Sequence, residues 1–150
     1  MVREGGPPTT LDATHAMMLT AEQMNDNPLP FAKLMGVRFV SITKDEVVVE
    51  LEVRPDLCTA PMPTLHGGAA MALADTAGAV ATVMNLPEGA KGTTTIESKT
   101  NFIGGAPSGI TVRGTTTPIH RGGKTQVWQT RITRPDGKLV AVVTQTQLVL

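Results

Sequence analysis

The stretch from Gly67 to Met84 limits what this chain can fold into more than any other segment. It reads Gly-Gly-Ala-Ala-Met-Ala-Leu-Ala-Asp-Thr-Ala-Gly-Ala-Val-Ala-Thr-Val-Met. Apolar nearly all round and built mainly from small side chains, it predicts a helix buried on most sides, with other backbone packed close to it. Its length invites a membrane reading. Yet it is rich in Ala and Gly and carries Asp75 at its centre, so it is weakly hydrophobic for that purpose. No apolar run of signal-peptide length follows Met1-Val2-Arg3-Glu4-Gly5-Gly6-Pro7-Pro8. A central helix in a soluble, cytoplasmic domain is the expectation, with no membrane partner.

The segments on either side of this helix read as strands. Thr20-Ala21-Glu22-Gln23 has the form of a capping box, so a short helix begins there and stops before Pro28. Phe31 to Met35 forms one more helical turn ending at Gly36. Val37 to Thr43 and Val47 to Val53 make a hairpin around Lys44-Asp45. The alternation of its second arm predicts one face wet along most of its length. A loop with three prolines, Pro55 to Pro63, leads into the long helix. Four strands follow it: Thr93 to Ile103, Ile110 to Pro118, Thr125 to Thr133 and Leu139 to Leu150. Gly122-Gly123 and Pro135-Asp136-Gly137 supply two of the turns. Strands clustered around one helix predict an α+β fold with an antiparallel sheet.

Composition excludes several classes of function. A chain of 150 residues suits one domain, with residues 1–26 read as a flexible start carrying the short helix and 27–150 as the folded domain. The single cysteine, Cys58, allows neither a disulfide within the chain nor a cysteine-based zinc site. Three histidines with no acid at ligand spacing argue against any metal. Thirteen basic and thirteen acidic residues cancel, leaving no global field for a nucleic acid.

The chemistry concentrates in the long helix. Asp75 is its only ionisable group, and a buried carboxylate must find hydrogen-bond donors or give up its charge. His66-Gly67-Gly68 opens the helix. Glycines let a ligand reach the backbone, and the free N–H groups and positive dipole end can hold a carbonyl oxygen that becomes an oxyanion. Asp75 lies nine residues after His66. That is about 13.5 Å along a helix and roughly 180° around it. One helix cannot present both to one carbon, so a shared reaction requires a second copy of the chain. The alternative is that Asp75 only caps or bridges a subunit contact.

Thr64-Leu65-His66-Gly67-Gly68 followed by Leu73-Ala74-Asp75-Thr76-Ala77 resembles the central motif of the hotdog-fold acyl-CoA thioesterases of the phenylacetate-pathway, PaaI-like branch. The likeness runs from Asn27-Pro28-Leu29-Pro30-Phe31 to the C-terminus and includes Asp136-Gly137-Lys138-Leu139-Val140-Ala141. It implies an antiparallel sheet wrapped around the helix, a homodimer or homotetramer, and hydrolysis of acyl-CoA with no cofactor beyond the CoA of the substrate. By the motif match, Asp75 is the general base or nucleophile, the Gly67 N–H polarises the thioester carbonyl, and His66 orders the loop. Thr95 falls where some relatives carry a hydroxyl that helps place the water. Gly68 and the hairpin Arg121-Gly122-Gly123-Lys124 are expected to meet the CoA. Ala60 and Pro63 stand where relatives often have Asn and Gly.

Other functional readings stay open at this point. A non-catalytic acyl-CoA binder could use the same fold, and a dehydratase of this fold fits the His-Gly-Gly arrangement less well. Arg113 is a further possible phosphate partner, Glu97 and Lys99 read as an ion pair, and Cys58 and Trp128 as structural residues.

Overall fold

The computed structural model describes residues 18–150. The flexible start expected over the first fifteen or so residues, including His15, lies outside the described residues.

Among the described residues, two short helices precede the sheet. Helix α1 (Ala21–Asp26) begins with the expected capping box: Gln23 N donates to Thr20 Oγ1 at 3.1 Å and Thr20 N donates to Gln23 Oε1 at 3.0 Å. Met24 is buried, and the Asn25 amide exchanges two 2.9 Å hydrogen bonds with the Phe39 backbone. These ties hold α1 against the first strand. Helix α2 (Pro30–Met35) starts on a proline, whose missing N–H costs nothing there, and stops at Gly36 with φ 79°. A Cβ at Gly36 would sit 2.6 Å from Arg54 Nη1, which donates to the Met35 carbonyl. Arg54 thereby satisfies an end of α2 that its own side chains leave open.

Six strands form one antiparallel sheet: β1 (Arg38–Ile42), β2 (Val47–Glu52), β3 (Thr93–Phe102), β4 (Thr111–Arg121), β5 (Thr125–Thr133) and β6 (Leu139–Val149). Their spatial order is β1-β2-β4-β5-β6-β3. Helix α3 (Gly67–Val83) lies in the concavity and touches β2 through β6. This is the hotdog arrangement, with the helix-facing residues of each strand at period two. Val47, Val49, Leu51 and Val112 meet Leu73, Ala77 and Val80 in the core. No helix among the described residues is long and apolar enough to cross a membrane.

One expectation holds and one needs correction. Helix α3 is buried on most sides, as expected, though not all round within one chain. Ala70, Leu73, Ala74, Ala77, Gly78, Val80, Ala81 and Thr82 are buried, while Gly68, Met71 and Asp75 are exposed. One sheet curls around one side of a helix only, so a stripe stays open. The outer face of β2 is also drier than its alternation suggests. Val48 is buried and Glu50 half-buried, because Val48 lies between Ser41 of β1 and Thr115 of β4.

The two edges of the sheet are β1 and β3. Strand β3 is ten residues long, pairs among the described residues only with β6, and exposes Ile96 (56%) and Phe102 (59%).

Candidate active site

The start of α3 is fixed from both sides by main chain. Leu65 N donates to Ala106 O and His66 N to Leu57 O, each at 2.8 Å. His66 is thereby held extended, as an N-cap must be, with φ −64° and ψ 137°. Its Nδ1 accepts from Gly68 N at 2.9 Å, so Nδ1 is unprotonated and the ring proton sits on Nε2. Ala69 N and Ala70 N donate to the His66 carbonyl at 3.0 and 3.2 Å. Of the first-turn N–H groups, these bonds leave the one on Gly67 for a ligand. The Phe102 ring lies on the Cα side of Gly67: a Cβ there would stand 2.9 Å from Phe102 Cε1. Phe102 is exposed, so its ring tip can swing aside for a larger residue there.

Asp75 sits on the open stripe of α3, about 12 Å along the axis from Gly67. Rather than being sealed away, its carboxylate has found donors. Thr95 Oγ1 donates to Asp75 Oδ1 at 2.7 Å, and Gln145 Nε2 makes a longer 3.5 Å contact to the same oxygen. Thr95 gets there from β3, where the register with β6 shifts between Thr95 and Glu97. Its hydroxyl in turn accepts from Gln147 Nε2 at 2.7 Å. Thr93 Oγ1 lies 3.0 Å from Gln147 Oε1. Gln145 can pass beside the helix only because residue 78 is glycine: a Cβ there would stand 2.4 Å from the Gln145 amide carbon.

Thr93, Gln145, Gln147 and Gly78 were not singled out from the sequence. A signal existed for the two glutamines. They occupy the inward positions of β6 in series with Ala141 and Val143, and all four are buried. A polar residue at an apolar period-two position marks a partner that must be found.

A cleft of about 420 Å³ opens beside the N-terminus of α3. Phe31 and Leu34 of α2 form one wall, Ala69 and Ala72 of α3 another, and His66 and Gly68 the inner end. The charges at its rim are matched, since Arg54 Nε donates to Asp56 at 3.0 Å. That hydrogen bond holds the Asp56 carboxyl below its ordinary range.

The β4–β5 hairpin lies at the other end of α3 within the same chain. Arg121 Nη1 donates to Asp45 Oδ1 at 2.7 Å, to the Lys44 carbonyl at 3.1 Å and to Asn85 Oδ1 at 3.3 Å. Gly122 N is committed to Thr125 O at 2.9 Å, whereas Gly123 and Lys124 are exposed. Arg113 pairs with Glu50 at 2.8 Å, and Arg38 contacts the other Glu50 oxygen. The Arg113 hydrogen bond is the largest cause holding the Glu50 carboxyl below its ordinary value; the bond from Arg38 adds to it, and burial opposes both. Glu97 and Lys99 share the outer face of β3 without forming an ion pair among the described residues. Trp128 is fully buried, as expected, and Cys58 Sγ donates to the Arg54 carbonyl at 3.3 Å.

Residues 62–141 match the thioesterase superfamily. The chain is 32% identical over 108 residues to the 1,4-dihydroxy-2-naphthoyl-CoA hydrolase of Listeria monocytogenes, covering 72% of this chain and 85% of that one. Its counterpart in Escherichia coli is 33% identical over 105 residues, covering 70% and 75%. Among solved structures, a thioesterase from Haemophilus influenzae superposes with a TM-score of 0.81 at 27% identity, covering 90% of this chain and 93% of that one. The E. coli PaaI protein from the phenylacetic acid degradation operon superposes at 0.76 with 25% identity, covering 87% and 91%. A helix wrapped by an antiparallel sheet, a His-Gly-Gly start and relatives named for thioester cleavage lead to one conclusion: the chain belongs to the thioesterase superfamily, as a PaaI-like hotdog-fold acyl-CoA thioesterase.

Proposed function

We propose that the chain hydrolyses acyl-CoA thioesters at a site shared by two copies, with Asp75 of one copy facing the Gly67 N–H of the other. The observation that carries this reading is the placement of the carboxylate. Asp75 is exposed on the open stripe of α3, held through one oxygen by Thr95, with its other oxygen free to act. Gly67 of the same helix is too far along the axis to reach the same carbon. The long edge of β3, which pairs with no strand on its far side among the described residues, supports pairing with a second copy, since an unpaired edge strand is a template for another strand.

In this mechanism the Gly67 N–H polarises the thioester carbonyl, and His66 keeps the first turn in place through Gly68. Asp75 either takes a proton from an attacking water or attacks the carbonyl carbon itself. The C–S bond breaks as the tetrahedral centre collapses, and the CoA thiolate leaves without strong acid assistance. By direct attack the collapse leaves an acyl–Asp75 anhydride, which water opens at the Asp75 carboxyl carbon to free the acid and restore the carboxylate. A single turnover in 18O-water separates the two routes, because the first product then carries no label, whereas water activated by Asp75 puts one labelled oxygen into it. The cleft bounded by Phe31, Leu34, Ala69 and Ala72 suits an uncharged medium-chain or aromatic acyl group, since its rim charges are already paired. The nucleotide end of CoA is assigned to the hairpin Arg121-Gly122-Gly123-Lys124 of the second copy.

The test is Asp75→Ala in a screen of short, long and aromatic acyl-CoAs with a thiol reagent. Hydrolysis falls by at least about 100-fold while the fold persists. Near-normal turnover in that variant would end the assignment. Binding by the wild type without CoA release would favour a non-catalytic acyl-CoA binder.

A further inference from the structure

Three side chains behind the carboxylate form a hydrogen-bonded series that ends on it. The Gln147 side-chain nitrogen can only donate, so at 2.7 Å it makes Thr95 Oγ1 an acceptor. Thr95 has one hydroxyl proton, and Asp75 Oδ1 lies 2.7 Å away to receive it. At the outer end, Thr93 Oγ1 stands 3.0 Å from Gln147 Oε1 and 3.0 Å from the Leu148 carbonyl, both of them acceptors. Thr93 is therefore a donor, with one proton shared between these two acceptors. Asp75, which only accepts, fixes Thr95 as a donor, so the Gln147 nitrogen and not its oxygen faces Thr95. Donation runs one way, from Thr93 through Gln147 and Thr95 to Asp75.

We propose that Gln147 is a positioning residue that acts on Asp75 through Thr95. The proposal rests on the catalytic reading of Asp75 and goes beyond it. Gln147 is completely buried and touches neither the cleft nor the stripe, so it does not meet substrate. By filling an acceptor site on Thr95, it leaves the threonine proton directed at Oδ1. The Thr95 hydroxyl is thus held as a donor to the carboxylate, and Oδ2 is the oxygen turned to the reaction. Without Gln147, Thr95 is free to rotate, and the carboxylate loses a fixed orientation that positioned groups need.

The discriminating variant is Gln147→Met, close in volume and without a donor. Its kcat for acyl-CoA hydrolysis falls about tenfold with KM within about twofold of wild type. In a Thr95→Val background the same change has no further effect on kcat, since its only route is gone. Losses that multiply would overturn the proposal. A second readout needs no activity: the three-bond couplings of the Thr95 methyl report its χ1 rotamer by NMR. A single rotamer in the wild type becomes an average in Gln147→Met, and an unchanged single rotamer would overturn the proposal. Thr93→Val, one step farther out and nearly isosteric, gives the same averaging in smaller measure and serves if Gln147→Met does not fold. Should the wild type hydrolyse no acyl-CoA, the thioesterase reading fails while the rotamer measurement still judges this one.

Discussion

Helix α3 rests on two unlike halves of one sheet. Toward β2 and β4 it meets Val47, Val49, Leu51 and Val112, all fully buried and without polar atoms in their side chains. Leu73 is fully buried in this half, beside Gly114. Toward β6 and β3 the same helix meets Gln145 and Thr95, with Gln147 behind Thr95. Buried amides contribute less to stability than the apolar groups they displace, and each must be satisfied. The apolar half holds the helix in place, and the polar half tells Asp75 where to point. Stability and chemistry are thus divided across the width of the sheet, so substitutions in the two halves should fail in different ways.

The strongest way to sharpen that division is at the helix start, which belongs to neither half. Gly67→Pro removes the N–H without breaking the helix, because proline suits the first helical position and His66 already has the extended backbone that precedes it. Turnover should drop by about 100- to 1,000-fold with circular dichroism unchanged. A loss under tenfold would mean that another donor serves the carbonyl. Next, Leu73→Ala in the apolar half should destabilise the protein by about 2–5 kcal/mol in urea unfolding while kcat per folded molecule stays near wild type. A large kcat loss at full stability would break the comparison.

Gly78→Ala belongs to the polar half. The new methyl would stand 2.4–2.7 Å from the atoms of the Gln145 amide, which must move away from Asp75. The gain in helix propensity offsets part of the overpacking cost, so the net stability loss should be about 1 kcal/mol. The diagnostic is an excess fall in kcat over that small loss; unchanged kcat would show that the 3.5 Å contact from Gln145 is dispensable. The smallest effect lies on the outer face of the sheet, at Glu50. Its folded-state pKa is depressed below the ordinary 4.5 by Arg113 and then Arg38. Its contribution is therefore present above 4.5 and is lost as pH falls through the folded value. Both arginines are more than half exposed, so solvent screening keeps the effect below about 1 kcal/mol. The difference in Tm between wild type and Glu50→Gln should shrink as pH drops below 4.5, and a difference constant with pH would contradict this.

What could be read in advance followed the range of the signal. The capping box at Thr20, the glycine stop at Gly36, the two hairpin turns and the pairing of His66-Gly67-Gly68 with a lone acid are local patterns, and each is legible without knowing what packs where. Gln147 and Thr93 were not, because their role depends on the register of β3 against β6, and that register shifts by a bulge next to Thr95. The companions of Arg121, drawn from Asp45 and Asn85, lie 76 and 36 residues away in the chain. Nothing near Arg121 in sequence signals them. The exposure of Asp75 was hidden for a third reason. Composition describes a helix as greasy all round, but only the curl of the sheet decides which side is covered.

The central claim is that carboxylate and oxyanion donor come from different copies of the chain, and subunit complementation tests it directly. Asp75→Ala and Gly67→Pro chains, each inactive alone, are unfolded together, refolded and checked for mixed dimers. Random pairing makes half of the dimers mixed, and each mixed dimer regains one intact site of two, so about 25% of wild-type activity per chain should return. Mixed dimers that form yet remain inactive would contradict the shared site.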